Sequence, residues 1–140
     1  MGSYYNNSDF KTKTLAERWN VAKWTVVPTP SFGPGISGGM AEVWCDSAAD
    51  CLGVGSHDSN KTFLAGPLAE HWNGKRWASQ PIPNPYPKQE TGLYGLGCGS
   101  PSACEAAGNA THSVIFAERW DGQRWTTQTT PVPPGRVGPR

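Results

Sequence analysis

The sequence predicts an all-β fold assembled from copies of one antiparallel unit of about 50 residues. A similar six-residue segment occurs at 15–20, 68–73 and 116–121. Its fifth residue is Trp and its sixth is Asn or Asp. In every copy a second Trp follows five residues after the first, and no copy has the apolar spacing of a helix. The offset of 53 residues between the first two copies also carries Cys45 to Cys98. These observations indicate a repeat of short strands.

Each complete unit is expected to contain four strands. The dipeptides Asn73-Gly74 and Asp121-Gly122 are typical of a two-residue β-hairpin between the last two strands. The chain, 1–140, is therefore expected to form a single repeat domain with units at about 2–30 (partial), 40–83 and 93–131. The expected strands are 2–5, 14–20 and 23–27 in the first unit, 40–45, 52–56, 67–73 and 76–82 in the second, and 93–98, 104–109, 115–121 and 124–129 in the third.

Four antiparallel strands in about 50 residues is the pattern of a β-propeller blade. The segment 69–77, Ala-Glu-His-Trp-Asn-Gly-Lys-Arg-Trp, resembles part of the kelch repeat. The whole unit, with its Cys-x5-Cys turn and Pro-rich exit at 81–85, is more similar to the propeller-like repeats of secreted actinobacterial proteins. This resemblance covers nearly the whole chain and implies nearly three blades, although 53–55 departs from the kelch pattern, so kelch partners are not implied. A β-sandwich of the same eleven strands is the alternative that the composition leaves open.

A closed ring of blades is expected to need more than this chain. Natural propellers close with about four to eight blades, and the first unit lacks a counterpart of the innermost strand before Gly2. We expect either a segment of a longer repeat array or a protein that closes its ring from several copies. Two copies would supply about six blades, which favours a homodimer or another closed homo-oligomer with first and third blades in contact.

Charge and hydropathy argue against two function classes. Twelve Lys and Arg against eleven Asp and Glu give a formal net charge of +1, and the basic residues form only pairs such as Lys75-Arg76. The basic patch of a nucleic-acid-binding protein is missing, so nucleic acid is not an expected partner. No apolar stretch approaches the roughly 18 residues of a membrane span, so none is expected.

The four cysteines form two pairs with the same internal gap. We expect disulfides Cys45–Cys51 and Cys98–Cys104, because no histidine stands at zinc-ligand spacing beside them and each pair bounds a short turn. Disulfides imply an oxidising compartment, so a secreted or extracellular protein is expected, with a signal peptide that lies outside this chain. No metal site and no cofactor are expected.

The residues that recur in every unit are interpreted as packing residues. They are six of the seven Trp together with Glu17, Glu70 and Glu118, which share a strand face with the first Trp of each pair. Each carboxylate is expected to accept hydrogen bonds from a neighbouring strand or a nearby Arg. A glycosidase pair would need two carboxylates on opposite sides of one cleft, which threefold repetition disfavours.

Trp44 and Glu42 depart from the repeat, because Gly97 and Gly95 occupy the equivalent positions in the third unit. Both are expected on one face of an innermost strand. A Trp beside a carboxylate can stack on a sugar ring and bind its hydroxyls, so both residues are candidate ligand contacts. The alternative is that Trp44 only fills the space left by Gly97 in an adjacent blade.

The other candidate ligand residues lie in loops that vary between units. In an up-and-down unit, the loop between the second and third strands and the linker to the next unit emerge at the same end. Variable loops on a rigid scaffold commonly bind ligands, here a carbohydrate or a protein surface. His71 is interpreted instead as a surface strand residue. The loop candidates are Tyr4, Tyr5, His57, Asp58, Asn60, Tyr86, Glu90 and His112.

The sequence as a whole favours a noncatalytic extracellular binding module for a carbohydrate or a protein. The alternatives are a structural or assembly segment of a larger secreted propeller protein and, with less support, a small hydrolase that uses Glu42 or Glu90. No nucleophile stands beside a base in any recognisable motif, so no catalytic residue is assigned.

Overall fold

The computed structural model describes residues 1–32, 35–111 and 114–131. Strands make up 61% of the structure, which confirms the all-β expectation. The described part of the chain holds no helix of the length and apolarity needed to cross a bilayer. The strands are β1 (Gly2–Asn6), β2 (Lys11–Trp19), β3 (Trp24–Val27), β4 (Gly38–Ser47), β5 (Asp50–Asp58), β6 (Ala65–Trp72), β7 (Trp77–Gln80), β8 (Thr91–Ser100), β9 (Ala103–Ala110), β10 (Val114–Trp120) and β11 (Trp125–Gln128).

The strands form three antiparallel sheets in which each strand pairs with its sequence neighbours. The first sheet has the order β1-β2-β3, the second β4-β5-β6-β7 and the third β8-β9-β10-β11. The expected three, four and four strands are therefore confirmed. β4 and β8 are longer than expected, ten residues each, because pairing begins two residues earlier, at Gly38 and Thr91, and continues past the cysteines to Ser47 and Ser100.

The two predicted disulfides are confirmed. Cys45–Cys51 joins β4 to β5, and Cys98–Cys104 joins β8 to β9. In both hairpins the two cysteines are direct partners in the strand register. Disulfides of this kind form in an oxidising environment.

An Asx turn closes the last hairpin of every sheet. The side-chain Oδ1 of the Asn or Asp that ends each repeat segment accepts two backbone N–H groups at 2.8–3.1 Å. The next residue has a left-handed φ, 95° at Gly74 and 96° at Gly122. In the first sheet this position is Val21, with φ 79°. A β-branched residue is strained in this region, whereas glycine is not.

The sheets pack face to face in chain order, and the first strand of each later sheet makes the contact. β4 lies against β1 and β2, and β8 lies against β4, β5 and β6. The main apolar core is between the second and third sheets, where Val54 and Ala69 meet Leu93 and Phe116. These four side chains are at most 2% exposed. The second sheet is therefore held most firmly by the third.

The second and third sheets each turn their Trp pair toward the sheet that precedes them. Trp72 lines the space between the first and second sheets, and Nε1 of Trp125 donates to Oε1 of Gln80 on the second sheet at 3.0 Å. Trp72 and Trp125 are 7% and 4% exposed, whereas Trp19 and Trp24 are 50% and 64% exposed, because no other sheet of the described chain packs on that face of the first sheet. The predicted packing role of the repeated Trp therefore holds in the second and third sheets only.

The repeated glutamates, like the repeated Trp, are buried in the second and third sheets and exposed in the first. Glu70 and Glu118 are fully buried, and Glu17 is exposed. Glu118 accepts a hydrogen bond from Thr127 Oγ1 on the neighbouring strand at 3.1 Å, as predicted. For Glu70 the prediction is wrong: neither carboxyl oxygen has a hydrogen-bond partner in the described part of the chain. Burial raises the pKa of both Glu70 and Glu118 to about 7.

These two carboxyls should make the protein less stable as the pH rises. Their folded-state pKa of about 7 lies above the ordinary value of 4.5, so the folded state holds protons that the unfolded state releases. The stabilisation is complete below pH 4.5 and is lost as the pH rises through about 7. Between pH 5 and pH 7.5 we expect a loss in the free energy of unfolding on the order of 2 kcal/mol for each carboxyl, or about 4–5 kcal/mol for the two, measured in urea with the disulfides intact.

The Glu70→Gln/Glu118→Gln double variant should flatten this pH dependence. Glu17→Gln is the matched control, since Glu17 occupies the same repeat position but is exposed, and it should retain the wild-type slope. An unfolding free energy that rises between pH 5 and pH 7.5, or an identical slope in the double variant, would contradict this interpretation.

The strained turn gives a second prediction. Val21→Gly should raise the free energy of unfolding by about 0.5–1 kcal/mol, because relief of left-handed strain exceeds the entropic cost of glycine. Ala22→Gly is the control: the neighbouring residue is also exposed but has no positive φ, so its substitution should destabilise. Chemical denaturation gives the free energy of unfolding of both variants. A lower free energy of unfolding in Val21→Gly would contradict the claim that Val21 is strained.

Candidate functional site

Two clefts lie between successive sheets, at the end of the stack that carries the Cys turns and the hairpin turns. The first cleft, between the first and second sheets, has a volume of about 340 Å³, and the second cleft, between the second and third sheets, about 440 Å³. Repeat-equivalent residues line both, with Arg18 and His71 on the earlier sheet and Trp72 and Trp120 on the later one. The variable loops that sequence reasoning favoured for binding lie at the other end of the sheets.

The second cleft combines two indole rings with several polar side chains. The second sheet supplies one wall through all four of its strands, and the third sheet supplies the other through its Cys turn and β10. The residues that give the second cleft its chemistry are Trp44, Asp50, His71, Gln80, Ser102 and Trp120.

Strand alternation explains why the second sheet presents these groups. In the register of β4, β5 and β6, Trp44 pairs with Leu52 and Leu52 pairs with His71, so the three share the face that packs on the third sheet. Glu42 lies two residues before Trp44, opposite Val54, and is therefore on this face too, whereas a β-bulge between Met40 and Glu42 puts Met40 on the other face. The expectation that Glu42 and Trp44 share one face is therefore confirmed. Glu42 is exposed and does not line the cleft.

Hydrogen bonds fix the orientation of the cleft side chains. His71 Nε2 lies 2.7 Å from Asp50 Oδ1, and both side chains are partly exposed. Gln80 Oε1 accepts from the Trp125 indole, so the amide nitrogen of Gln80 is its remaining donor. The Trp120 indole donates through Nε1 to the Pro101 carbonyl at 3.1 Å. The cleft is thus pre-organised.

The first cleft has the same position but a different chemistry. The guanidinium of Arg18 lies over the Trp72 ring, 5.9 Å from its centroid, where the second cleft has His71 and Trp120. Val27 occupies the position of Gln80, and Met1 and Val43 add further apolar surface. The first cleft is therefore mainly apolar with one cation held on an indole face.

The second cleft offers groups for binding. Indole faces pack on apolar ligand surfaces, while Asp50 accepts and the Gln80 amide donates hydrogen bonds. His71, Asp50 and Ser102 are the residue types of a hydrolytic triad, but no hydrogen bond joins His71 to Ser102 within the described chain. In the same residues, no group of three or more His, Cys, Asp or Glu side chains is placed to hold a metal ion.

The structure places one of the predicted ligand contacts, Trp44, in the second cleft. Tyr4 lines a separate polar pocket of about 130 Å³ at the loop end of the first sheet. Tyr5 is 59% exposed on the same strand. Asn60 is exposed in the turn after β5. His112 lies outside the described residues.

The remaining loop candidates link segments of the chain to one another. The His57 ring stacks on Phe32 with centroids 4.3 Å apart, and the Asp58 backbone N–H donates to the Ser37 carbonyl. Tyr86 is buried and packs edge-on against Phe116. Glu90 accepts a hydrogen bond from the Ala65 N–H at 2.7 Å. These contacts do not bring the loop candidates together into one site.

Sequence reasoning missed most of the second cleft, because its residues lie far apart in the chain and meet only when two sheets pack. The available signal was departure from the repeat. His71 stands where the other units have Arg18 and Arg119, and Asp50 stands where the third unit has Ala103. Read as departures at the boundary between units, these residues would have pointed to the cleft.

Comparisons of the chain with models of known protein families, with curated proteins and with solved structures find no match. The geometry of the clefts is therefore the basis on which a function is assigned.

Proposed function

We propose that the chain is a noncatalytic binding module of a secreted protein and that its second cleft binds a carbohydrate. The observation that carries this proposal is the union, in a space of about 440 Å³, of two indole rings with a carboxylate, an imidazole, an amide and a hydroxyl. A sugar ring has the matching character, an apolar C–H face and a rim of hydroxyl groups.

The roles of the side chains follow from their chemistry. Trp44 or Trp120 packs against the C–H face of the sugar. Asp50 accepts hydrogen bonds from sugar hydroxyls, and the Gln80 amide nitrogen donates to them. Because Trp120 and Gln80 are already held by hydrogen bonds within the protein, binding costs little side-chain entropy.

The proposal includes the architecture and the location. We infer that the sheets are blades of a β-propeller, because three repeat-equivalent sheets stack in chain order and each later sheet contacts the earlier one through its first strand. The two disulfides support secretion.

A panel of soluble oligosaccharides, screened by indole fluorescence and then by calorimetry, tests the binding site. Trp44→Ala should raise the dissociation constant for the bound sugar about tenfold, because the variant loses one aromatic stacking contact that contributes about 1–1.5 kcal/mol. The fold should survive, because the third sheet has Gly97 at the equivalent position.

Tyr5→Ala is the control for this experiment. It removes an exposed aromatic ring at the loop end, away from both clefts, and should leave sugar affinity unchanged. Affinity that falls in Tyr5→Ala but not in Trp44→Ala would move the site to the loops, and no binding to any sugar in the panel would refute the carbohydrate assignment.

A further inference from the structure

Beyond the binding cleft, the two outer faces of the stack carry complementary halves of one contact pattern. The first sheet exposes the face that bears Glu17, Trp19, Trp24 and Val26, here called the Trp face. We propose that copies of the chain associate head to tail, with the Trp face of one copy packed on the outer face of the third sheet of the next.

The pattern is seen first at the junction between the first and second sheets. The cation of Arg18, on the earlier sheet, lies over the ring of Trp72, on the later one, at 5.9 Å. A cation over an indole face is attracted by the ring even where, as here, the Arg is exposed. Ala16, two residues before Arg18, is buried at this junction and lets the two sheets approach.

The junction between the second and third sheets repeats the pattern and adds a hydrogen bond. His71 takes the place of Arg18 and shares the second cleft with Trp120. The new contact is the bond from Trp125 Nε1 to Gln80 Oε1 at 3.0 Å. The earlier sheet thus contributes a basic residue on β6 and an amide on β7, and the later sheet contributes both indoles.

The outer face of the third sheet carries the earlier-sheet half of this pattern. Arg119 occupies the position of Arg18 and His71, and Gln128 occupies the position of Gln80. Arg119 is about half exposed and is paired with Glu105 at 3.6 Å, much as His71 is paired with Asp50. Gln128 lies opposite Ala117 across the β10–β11 ladder, as Gln80 lies opposite Ala69.

The Trp face carries the later-sheet half. Trp19 corresponds to Trp72 and Trp120, and Trp24 corresponds to Trp125. Within the described residues, the indole N–H of Trp24 has no acceptor. Head-to-tail packing would set the Arg119 guanidinium over the Trp19 ring of the next copy and bring the Gln128 carbonyl to the Trp24 indole.

The size of the exposed aromatic surface explains why this face would be covered. Trp19, Trp24 and Val26 are each at least 50% exposed and adjoin one another on a single sheet face. Contiguous apolar patches of this kind mark interaction surfaces. Two copies joined by two such junctions would stack six sheets, a number at which repeats of this type can close.

Sedimentation equilibrium of the native, disulfide-bonded chain over the micromolar range tests the proposal. The mass is expected to rise with concentration to about twice the 15.1 kDa of one chain. Arg119→Ala should raise the dissociation constant for self-association about tenfold for each junction, and about a hundredfold for a ring with two junctions. Arg76→Ala, an exposed Arg in the hairpin turn of the second sheet, is the control and should leave association unchanged.

A mixing experiment tests the direction of the contact. The Trp19→Ala/Trp24→Ala variant and the Arg119→Glu variant should each remain monomeric, and their mixture should form a pair, because one intact junction remains between them. Circular dichroism checks that both variants are folded. A wild-type chain that stays monomeric at the highest concentration, association that is insensitive to Arg119, or a mixture that does not pair would each overturn the proposal.

Discussion

The packing of each Trp pair on the sheet before it is the contact on which the rest of the structure depends. The hairpin of the last two strands in every sheet presents two indoles on one face, with ring centroids 5.6–5.8 Å apart. These rings are too large to be covered by their own sheet of three or four short strands. They are covered only when the preceding sheet is present, which makes the stacking of sheets the source of the core.

Both clefts and the buried carboxyls follow from this contact. Where two sheets diverge near the Cys turns, the indoles of the later sheet form one wall of a cleft, and residues of the earlier sheet form the other. The side chain opposite the indole decides the chemistry: Arg18 gives a cation on an aromatic face, whereas His71 with Asp50 gives a polar site. The glutamate on the indole face is enclosed by the same packing, which deprives Glu70 of water without supplying a hydrogen-bond donor.

Local rules predict the strands well because each is specified by its own residues. The Asn-Gly and Asp-Gly turns, the repeated Trp spacing and the Cys pairs place all three sheets and both disulfides. The β-bulge at Ala41 was not foreseen, since no residue type demands it, and it puts Met40 and Glu42 on opposite faces of β4 although they are only two residues apart. The missing hydrogen bond of Glu70 could not be foreseen either. Ser79 faces Glu70 across the strands just as Thr127 faces Glu118, but only Thr127 donates to its carboxylate.

The candidate site was less predictable than the fold, because it is a property of two sheets in contact. Trp44 was identified because it breaks the repeat, but Ser102 lies on the other sheet and Trp120 obeys the repeat. Asp50 breaks the repeat on the same sheet as Trp44, since the third sheet has Ala103 there, but nothing in the sequence pairs it with His71. The loop candidates were chosen for their variability, and the structure shows that some of them serve contacts with strands, such as Tyr86 with Phe116 of β10 and Glu90 with Ala65 at the start of β6.

The most direct test of the account is hydrogen exchange at the individual indole N–H groups, followed by NMR on the native chain. In dilute solution, the indole N–H of Trp125, which donates to Gln80 on the preceding sheet, should exchange slowly, whereas those of Trp19 and Trp24 should exchange freely. As the concentration rises and copies associate, Trp24 should become protected. Equal protection of all these indoles in the dilute monomer, or free exchange at Trp125, would contradict the claim that each Trp pair is covered by the sheet before it.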